Sequence, residues 1–497
     1  MGIARFTVTV VIVLVLCTTA LIAGGFESTG IGTHARGVGG AFRAIASDWT
    51  AAYYNPAGYA YLLDNQLGGT LGLFHNRHEI TPNYVYRDDY DNVYPTGMVN
   101  GFSLFNQHEI RDHPSAGFLA RFPVWGETVV GFSIYQPFDY AIQWRLYDPT
   151  LADFRAYHDD LSGDLPNDQY RADLDVVAFQ LTAAREFTPE KLSLGVGIQL
   201  LRADLIYNDF LLTDNPREGI ISDRPRDKIP EFTHNDGVGW GFGLVGGAML
   251  KPTERLTLGF SARLPFDITI KGELDNRFYL PKNDKIAISS SELNTVDHMF
   301  VSGEVVSVGG DMEVELKLPP SLGAGAAYAL TDRLTVSVDA EYTFWSRFEG
   351  FEFIYSNVVS TSAPQRLIYI DSVMDYFGQN ISRPTEWSNA AKAAVGLGYD
   401  LADWVTVLGG FSFDQSPLRS TEARGPQFVD TGNKYGFTGG FLFNINRWGL
   451  GLITGYFDYP DQTQELVDID DDGIADSFPG EYKAAMYETV LSFNYRF

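Results

Sequence analysis

The sequence predicts an all-β fold, a 14-stranded antiparallel transmembrane β-barrel with an N-terminal lumenal hatch. Three observations lead there. Side chains alternate with a period of two, connections alternate between short and long, and tryptophans cluster where strands end.

Alternation comes first. Leu334, Val336, Val338, Ala340, Tyr342 and Phe344 fall on one side of an extended chain, and Thr335, Ser337, Asp339, Glu341 and Thr343 on the other. The C-terminus repeats this, with Tyr487, Thr489, Leu491, Phe493, Tyr495 and Phe497 opposite Glu488, Val490, Ser492, Asn494 and Arg496. A soluble sandwich shows the same pattern, so alternation alone does not decide.

The connections discriminate. Strands begin near Leu67, Ser115, Glu127, Tyr170, Lys191, Val238, Glu254, Asp311, Arg333, Trp387, Asp403, Lys434, Trp448 and Ala484. Short turns (124–127, 188–190, 251–254, 331–333) alternate with long loops (139–169, 208–237, 273–310, 350–386, 461–483). Six short and seven long connections describe an up-and-down barrel with turns at one end and loops at the other. A closed ladder of that kind satisfies every backbone group in lipid.

Tryptophans agree. Trp125, Trp404 and Trp448 fall at short turns, and Trp144, Trp240, Trp345 and Trp387 near the opposite strand ends, as two interfacial girdles require. Phe497 closes an alternating strand, as at the C-terminus of bacterial outer-membrane barrels.

Composition excludes the competitors. The 497 residues carry 63 Asp plus Glu against 36 Lys plus Arg, a net charge of −27, so no surface is suited to a phosphate backbone and no nucleic-acid partner is expected. Hydrophobic residues make up 45% and aromatics 14%, too much for disorder. Beyond the leader no run of eighteen apolar residues occurs, which excludes a helical bundle.

Residues 1–25 read as a signal peptide: Arg5, an apolar run from Phe6 to Ala23, then small residues for cleavage. An uncleaved anchor helix is the alternative. Leu16 before Cys17 argues against a lipoprotein site, and removal of the leader leaves no cysteine. Residues 26–65 show no sustained alternation and are rich in Gly and Ala; 66–497 form the barrel. The choice for 26–65 lies between a flexible tail and a plug. Fourteen strands enclose more space than their side chains fill, which favours the plug.

In that segment Gly25-Phe-Glu-Ser-Thr-Gly-Ile-Gly32, Ala44-Ile-Ala-Ser-Asp48 and Tyr53-Tyr-Asn-Pro-Ala57 resemble the hatch of the FadL/TodX family of outer-membrane transporters for long-chain fatty acids and other hydrophobic compounds. The resemblance implies a bacterial outer-membrane location and a hatch signature at Asn55, Pro56 and Ala57. It also implies that Phe26 reaches into a lumenal ligand pocket, with lateral release at a kinked third strand. That strand reads as 127–138, where Gly131 weakens packing and Pro137 removes a ladder donor. Capture in outer loops would suit Leu367, Ile370, Met374 and Phe377, which recur at helical spacing; a loop helix packed on its own rim reads equally well. The partners implied are hydrophobic small molecules, long-chain fatty acids above all, within outer-membrane lipid and lipopolysaccharide.

Other constellations are weaker. Asp468, Asp470, Asp472 and Asp476 occupy calcium-loop positions with Gly473 at the turn, but Pro479 stands where the bidentate Glu belongs. A structural calcium and a solvated acidic tip both remain open; no other cofactor is expected. Gly241-Phe-Gly-Leu-Val-Gly246 matches a dinucleotide motif without the helix it needs. His75, His78 and Glu79 have loose metal spacing and read as a surface group. No Gly-x-Ser-x-Gly elbow is present and no enzyme constellation emerges. Passive transport leads. The alternative is a related barrel that scaffolds protein secretion or surface attachment, separable by a copurifying partner and an empty lumen.

Overall fold

A computed structural model describes residues 25–87, 93–94, 96–106, 110–122, 127–148, 165–213, 228–280, 305–362, 378–418, 425–428, 433–467 and 477–497. Six strands run unbroken from the start: β1 (Gln66–Pro82), β2 (Ile110–Phe122), β3 (Thr128–Trp144), β4 (Tyr170–Thr188), β5 (Leu192–Thr213) and β6 (Ile229–Thr253). The next four each come in two pieces: β7 (Leu256–Pro265, Ile268–Tyr279), β8 (Val305–Leu316, Ser321–Ala329), β9 (Leu334–Thr343, Gly350–Ser362) and β10 (Ile381–Pro384, Ala390–Ala402). Then follow β11 (Val405–Asp414), β12 (Lys434–Ile445), β13 (Trp448–Gln464) and β14 (Gly480–Arg496). Each pairs antiparallel with its neighbours, and β1 meets β14 from Gln66–Arg496 to Pro82–Gly480, closing a 14-strand barrel. Closure removes the sheet edges, save where the β2–β3 ladder stops at Ala116–Ile134.

The alternation is turned inside out relative to a soluble protein. On β5, Leu194, Val196, Ile198 and Leu200 are exposed, while Ser193 and Gln199 are buried. On the first piece of β9 the buried side chains are Ser337, Asp339, Glu341 and Thr343, the polar face of the alternation, and Tyr342 lies outside. This is the signature of a lipid-facing wall around a polar lumen.

Two expectations need correction. Strands run further than the alternation suggested: β5 continues to Thr213, β6 begins at Ile229, and 350–362 is strand rather than loop. Near their long-loop ends the strands carry polar residues on both faces, so the period-two signal fades before the ladder does. The tryptophan girdles are also half wrong. Trp240, Trp404 and Trp448 are exposed on the outer wall, but Trp144, Trp345 and Trp387 are buried inside. Trp125 lies outside the described residues.

The four divided strands break at one height, at 266–267, 317–320, 344–349 and 385–389. Pro265, Pro319, Pro320 and Pro384 border or occupy the breaks and cannot donate to a ladder. A 3₁₀ turn, Trp345–Arg347, fills the break in β9 and turns two aromatic residues, Trp345 and Phe348, inward.

Candidate functional site

Residues 26–62 lie inside the ring. They include α1 (Thr33–Gly37), α2 (Ala51–Tyr54) and a 3₁₀ helix (Pro56–Tyr61). Helices this short are marginal alone, and here the wall holds them from every side. Arg36 ion-pairs with Glu488 on β14 and lies 4.6 Å from the Phe74 ring centre on β1. The backbone N–H groups of Phe42 and Arg43 donate to Asp339 Oδ2 on β9 at 3.1 and 3.0 Å. Arg43 also ion-pairs with Asp339 at 3.3 Å and with Glu341. Gln180 on β4 donates to Ala52 O at 2.8 Å, and Ser193 on β5 to Ala57 O at 2.9 Å.

Asn55 organises the far end. It is fully buried; its side-chain oxygen accepts from Ala57 N–H at 3.2 Å, capping the 3₁₀ helix that Pro56 opens. Its amide donates to Arg43 O at 2.9 Å and to Ala248 O on β6 at 3.1 Å. The wall makes room for it. A Cβ at Gly247 would overlap Asn55, and one at Gly195 would overlap the Pro56 backbone. Tyr54 and Tyr59 donate to Ile31 O at 3.2 Å and Trp49 O at 2.8 Å. Burial holds both phenols well above their ordinary range, so they stay O–H donors.

The beginning of the segment meets β3. Phe26 is 2% exposed in a cage of Trp345, Phe348, Trp387 and Phe138, with ring centres 4.8, 5.1, 5.6 and 5.9 Å away. Ser28 N–H donates to Pro137 O and Asp139 N–H to Phe26 O, each at 3.0 Å. Glu27 ion-pairs with Arg263 on β7 at 2.7 Å; Arg263 lies 3.7 Å from Glu341 and 4.0 Å from the Tyr53 ring centre.

At the same place the wall is irregular. Register between β3 and β4 slips between Tyr135 and Phe138, a bulge centred on Gln136 and Pro137. The β2–β3 ladder runs only from Phe122–Thr128 to Ala116–Ile134, and above it residues 110–115 pair with β1 alone. Polar and charged side chains bridge the unpaired stretch: Arg111 reaches Asp173 at 2.9 Å and Asp175 at 2.7 Å, and Arg111 and His113 both reach Asp139.

The structure thus brings Phe26 and Pro137 together and places Asn55, Pro56 and Ala57 against the β5–β6 wall. Gly131 sits elsewhere, in a fully paired part of β3 beneath Tyr59. His75 faces outward and His78 is buried, so the two do not share a surface. Leu367, Ile370, Met374 and Phe377, and Asp468, Asp470, Asp472 and Asp476, lie outside the described residues. The sequence reading missed Arg36, Arg43, Arg263 and the Arg111 cluster. Asp339, Glu341 and Glu488 were already on polar strand faces, and Arg36 and Arg43, two arginines in a sparsely charged Gly/Ala-rich segment, were the available signal for their partners.

Comparison with known proteins follows the same outline. A family model described as "Outer membrane protein transport protein (OMPP1/FadL/TodX)" matches residues 159–497. Outer membrane protein P1 of Haemophilus influenzae is 22% identical over 268 residues, covering 50% of this chain and 49% of that protein. The 47 kDa outer membrane protein of Pasteurella multocida is 24% identical, covering 36% and 34%. The chain therefore spans about half the length, or less, of these curated relatives. Among solved structures, a Pseudomonas aeruginosa FadL homologue superposes with a TM-score of 0.70 at 17% identity, covering 95% of this chain and 99% of that one. The P. putida toluene transporter TodX gives 0.62 at 14% identity, covering 94% and 99%.

Proposed function

The chain belongs to the OMPP1/FadL/TodX family of outer membrane proteins, and from that premise we propose that it is a passive transporter of hydrophobic compounds, long-chain fatty acids foremost. The observation that carries this reading is the meeting of Phe26, its aromatic cage and the bulged β3 at one height. An apolar pocket captures an alkyl chain without an energy source, since each buried methylene contributes about 0.8 kcal/mol. Release requires the pocket to change shape. Residues 26–62 act as a hatch: withdrawal of Phe26 empties the cage and removes the two backbone hydrogen bonds that brace the bulge. The ligand then leaves sideways where the β2–β3 ladder stops, entering the bilayer rather than water.

The test is uptake of labelled oleate by cells that lack their own fatty-acid transporter. Expression of the native chain is expected to restore uptake, and replacement of Asn55 and Pro56 by Ala to reduce it severalfold. A correctly inserted native barrel that supports no uptake would rule out oleate transport and return the scaffold reading to the front.

A further inference from the structure

The aromatic residues around Phe26 are also the edge of a second interruption in the wall, away from β3. The β7–β8 ladder stops at Arg263–Ser321 and resumes at Ile268–Leu316. Between β8 and β9 the gap is longer, from Ser321–Thr343 to Glu313–Ile354, with Phe344 N–H donating to Pro320 O at 2.9 Å within it. Trp345 and Phe348 come from this stretch of β9, and Trp387 from the break in β10. Backbone left unpaired beside lipid is costly, because its N–H groups find no acceptor. Pro265, Pro319 and Pro320 carry no N–H, which makes an interruption tolerable here.

The two faces of this seam differ in chemistry. Its inner face is apolar: Leu316 and Leu318 on the β8 side, and Trp345, Phe348 and Phe351 on the β9 side, are buried in one cluster with Phe26. Its outer face is crossed by two ion pairs, Lys317 with Glu349 and Arg347 with Asp267 at 2.7 Å, all four side chains being partly exposed. Such pairs hold weakly. Leu264, Phe266, Leu322 and Tyr342 are exposed on the wall below, and the Lys271–Glu313 pair lies above. The seam therefore sits where acyl chains give way to headgroups.

The opening at β3 has the opposite lining. There Arg111, His113 and Asp139 face inward and are largely buried. A ligand with a polar head can exchange contacts with such groups. A bare hydrocarbon only displaces them, and stranded buried charge is strongly disfavoured. A narrow void lined by Pro137, Phe138, Leu201, Pro265 and Pro319 borders both seams, so both are reached from one height in the lumen.

We propose that the wall between β8 and β9 is a second lateral portal, by which ligands without a charged headgroup pass between the aromatic cage and the bilayer. Opening it parts Leu316 and Leu318 from Trp345 and Phe348, breaks two exposed ion pairs and presents apolar surface to lipid tails. This rests on the transport reading above and divides its exit in two, β3 for amphiphiles and β8–β9 for neutral hydrocarbons.

A reversible tether tests this. Residues 25–497 contain no cysteine, so Lys317→Cys with Glu349→Cys in the full chain can be joined by a short bis-maleimide with a reducible centre. Uptake of labelled dodecane and labelled oleate is then followed in cells that lack their own fatty-acid transporter. The tether is expected to lower dodecane uptake severalfold and leave oleate uptake little changed, and dithiothreitol should restore the dodecane rate. Equal dodecane uptake by tethered and cleaved forms, or an equal fall for both probes, would overturn the proposal and leave transport standing. So would uptake of oleate but not dodecane by the native chain. Should the double variant fail to insert, Lys317→Glu, which sets two carboxylates across the seam, should raise dodecane uptake alone; no change would overturn the proposal instead. Uptake of neither probe by a correctly inserted, heat-modifiable native barrel would contradict the transport reading itself and the proposal with it.

Discussion

Asn55 carries three hydrogen bonds from one fully buried side chain, one to its own helix, one to Arg43 O and one across to β6. Replacing it by Ala leaves the buried Arg43 carbonyl without this donor, removes the tie to Ala248 O and removes the cap, at a cost of about 1–3 kcal/mol for a buried group left unpaired. Most of that cost falls on residues 26–62, because the wall keeps its own ladder. Asn55→Ala is therefore expected to speed amide hydrogen exchange across 33–61 and raise single-channel conductance in planar bilayers, while the barrel's thermal midpoint moves little. Equal exchange in variant and native chain would contradict this. Asn55 could be picked out from sequence because Asn-Pro-Ala resembles the family's hatch signature, though its cap on the 3₁₀ helix is seen only in the structure. Arg263 could not: its partner Glu27 is 236 residues away, and no local pattern records such a pairing. Trp345 and Trp387 were misplaced for a related reason. Period-two parity cannot be carried across the breaks at 344–349 and 385–389, so the wall face they belong to was undefined in the sequence.

The third strand is the element that departs most from regular barrel geometry. Its bulge at Gln136 and Pro137 takes its upper half away from β2, whose inward-facing Arg111 and His113 then meet Asp139, Asp173 and Asp175 in place of a backbone ladder. Ion pairs of this sort hold a seam without fusing it. Among the described residues Arg111 is the one arginine that joins all three carboxylates, so Arg111→Ala leaves Asp139 and Asp175 facing Asp173 without it, while Arg171 still pairs with Asp173. Breaking a buried pair from one side costs about 3 kcal/mol or more. The expected outcome is a lower thermal unfolding midpoint and faster leak of small solutes; Arg111→Ala with Asp139→Asn should recover part of both. A variant with native leak would show that the seam is closed by something other than these charges. Sequence reading reached Pro137, because a proline in a strand signals a lost donor. It also offered Gly131, where the structure has a complete ladder and the glycine admits Tyr59 instead. A strand glycine has two meanings, a weak point or a close approach, and only the neighbour across the lumen distinguishes them.

At the scale of the whole molecule, strand number and order were legible because they are written in spacing: six short and seven long connections fix an even, up-and-down barrel. Strand length was not, since the ladders extend beyond the zone where lipid imposes apolar side chains on the outer face. The lumenal segment was legible as a departure from alternation. Its anchorage was not, being made by ion pairs and hydrogen bonds to strands far apart in the chain. That anchorage spans the ring, from Glu488 on β14 through Asp339 on β9 and Ala248 on β6 to Pro137 on β3. The transport reading proposed above therefore requires that some of it be released for a ligand to pass.

A disulfide tests that claim directly. Thr33 Oγ1 and Ser492 Oγ lie 2.6 Å apart between α1 and β14, and residues 25–497 contain no cysteine to compete. Thr33→Cys with Ser492→Cys places two thiols within bridging reach. In transporter-deficient cells the oxidised form should lose labelled-oleate uptake, and dithiothreitol should restore it. A fully oxidised barrel, correctly inserted, that takes up oleate at the native rate would show that residues 26–62 need not leave the wall for the ligand to pass.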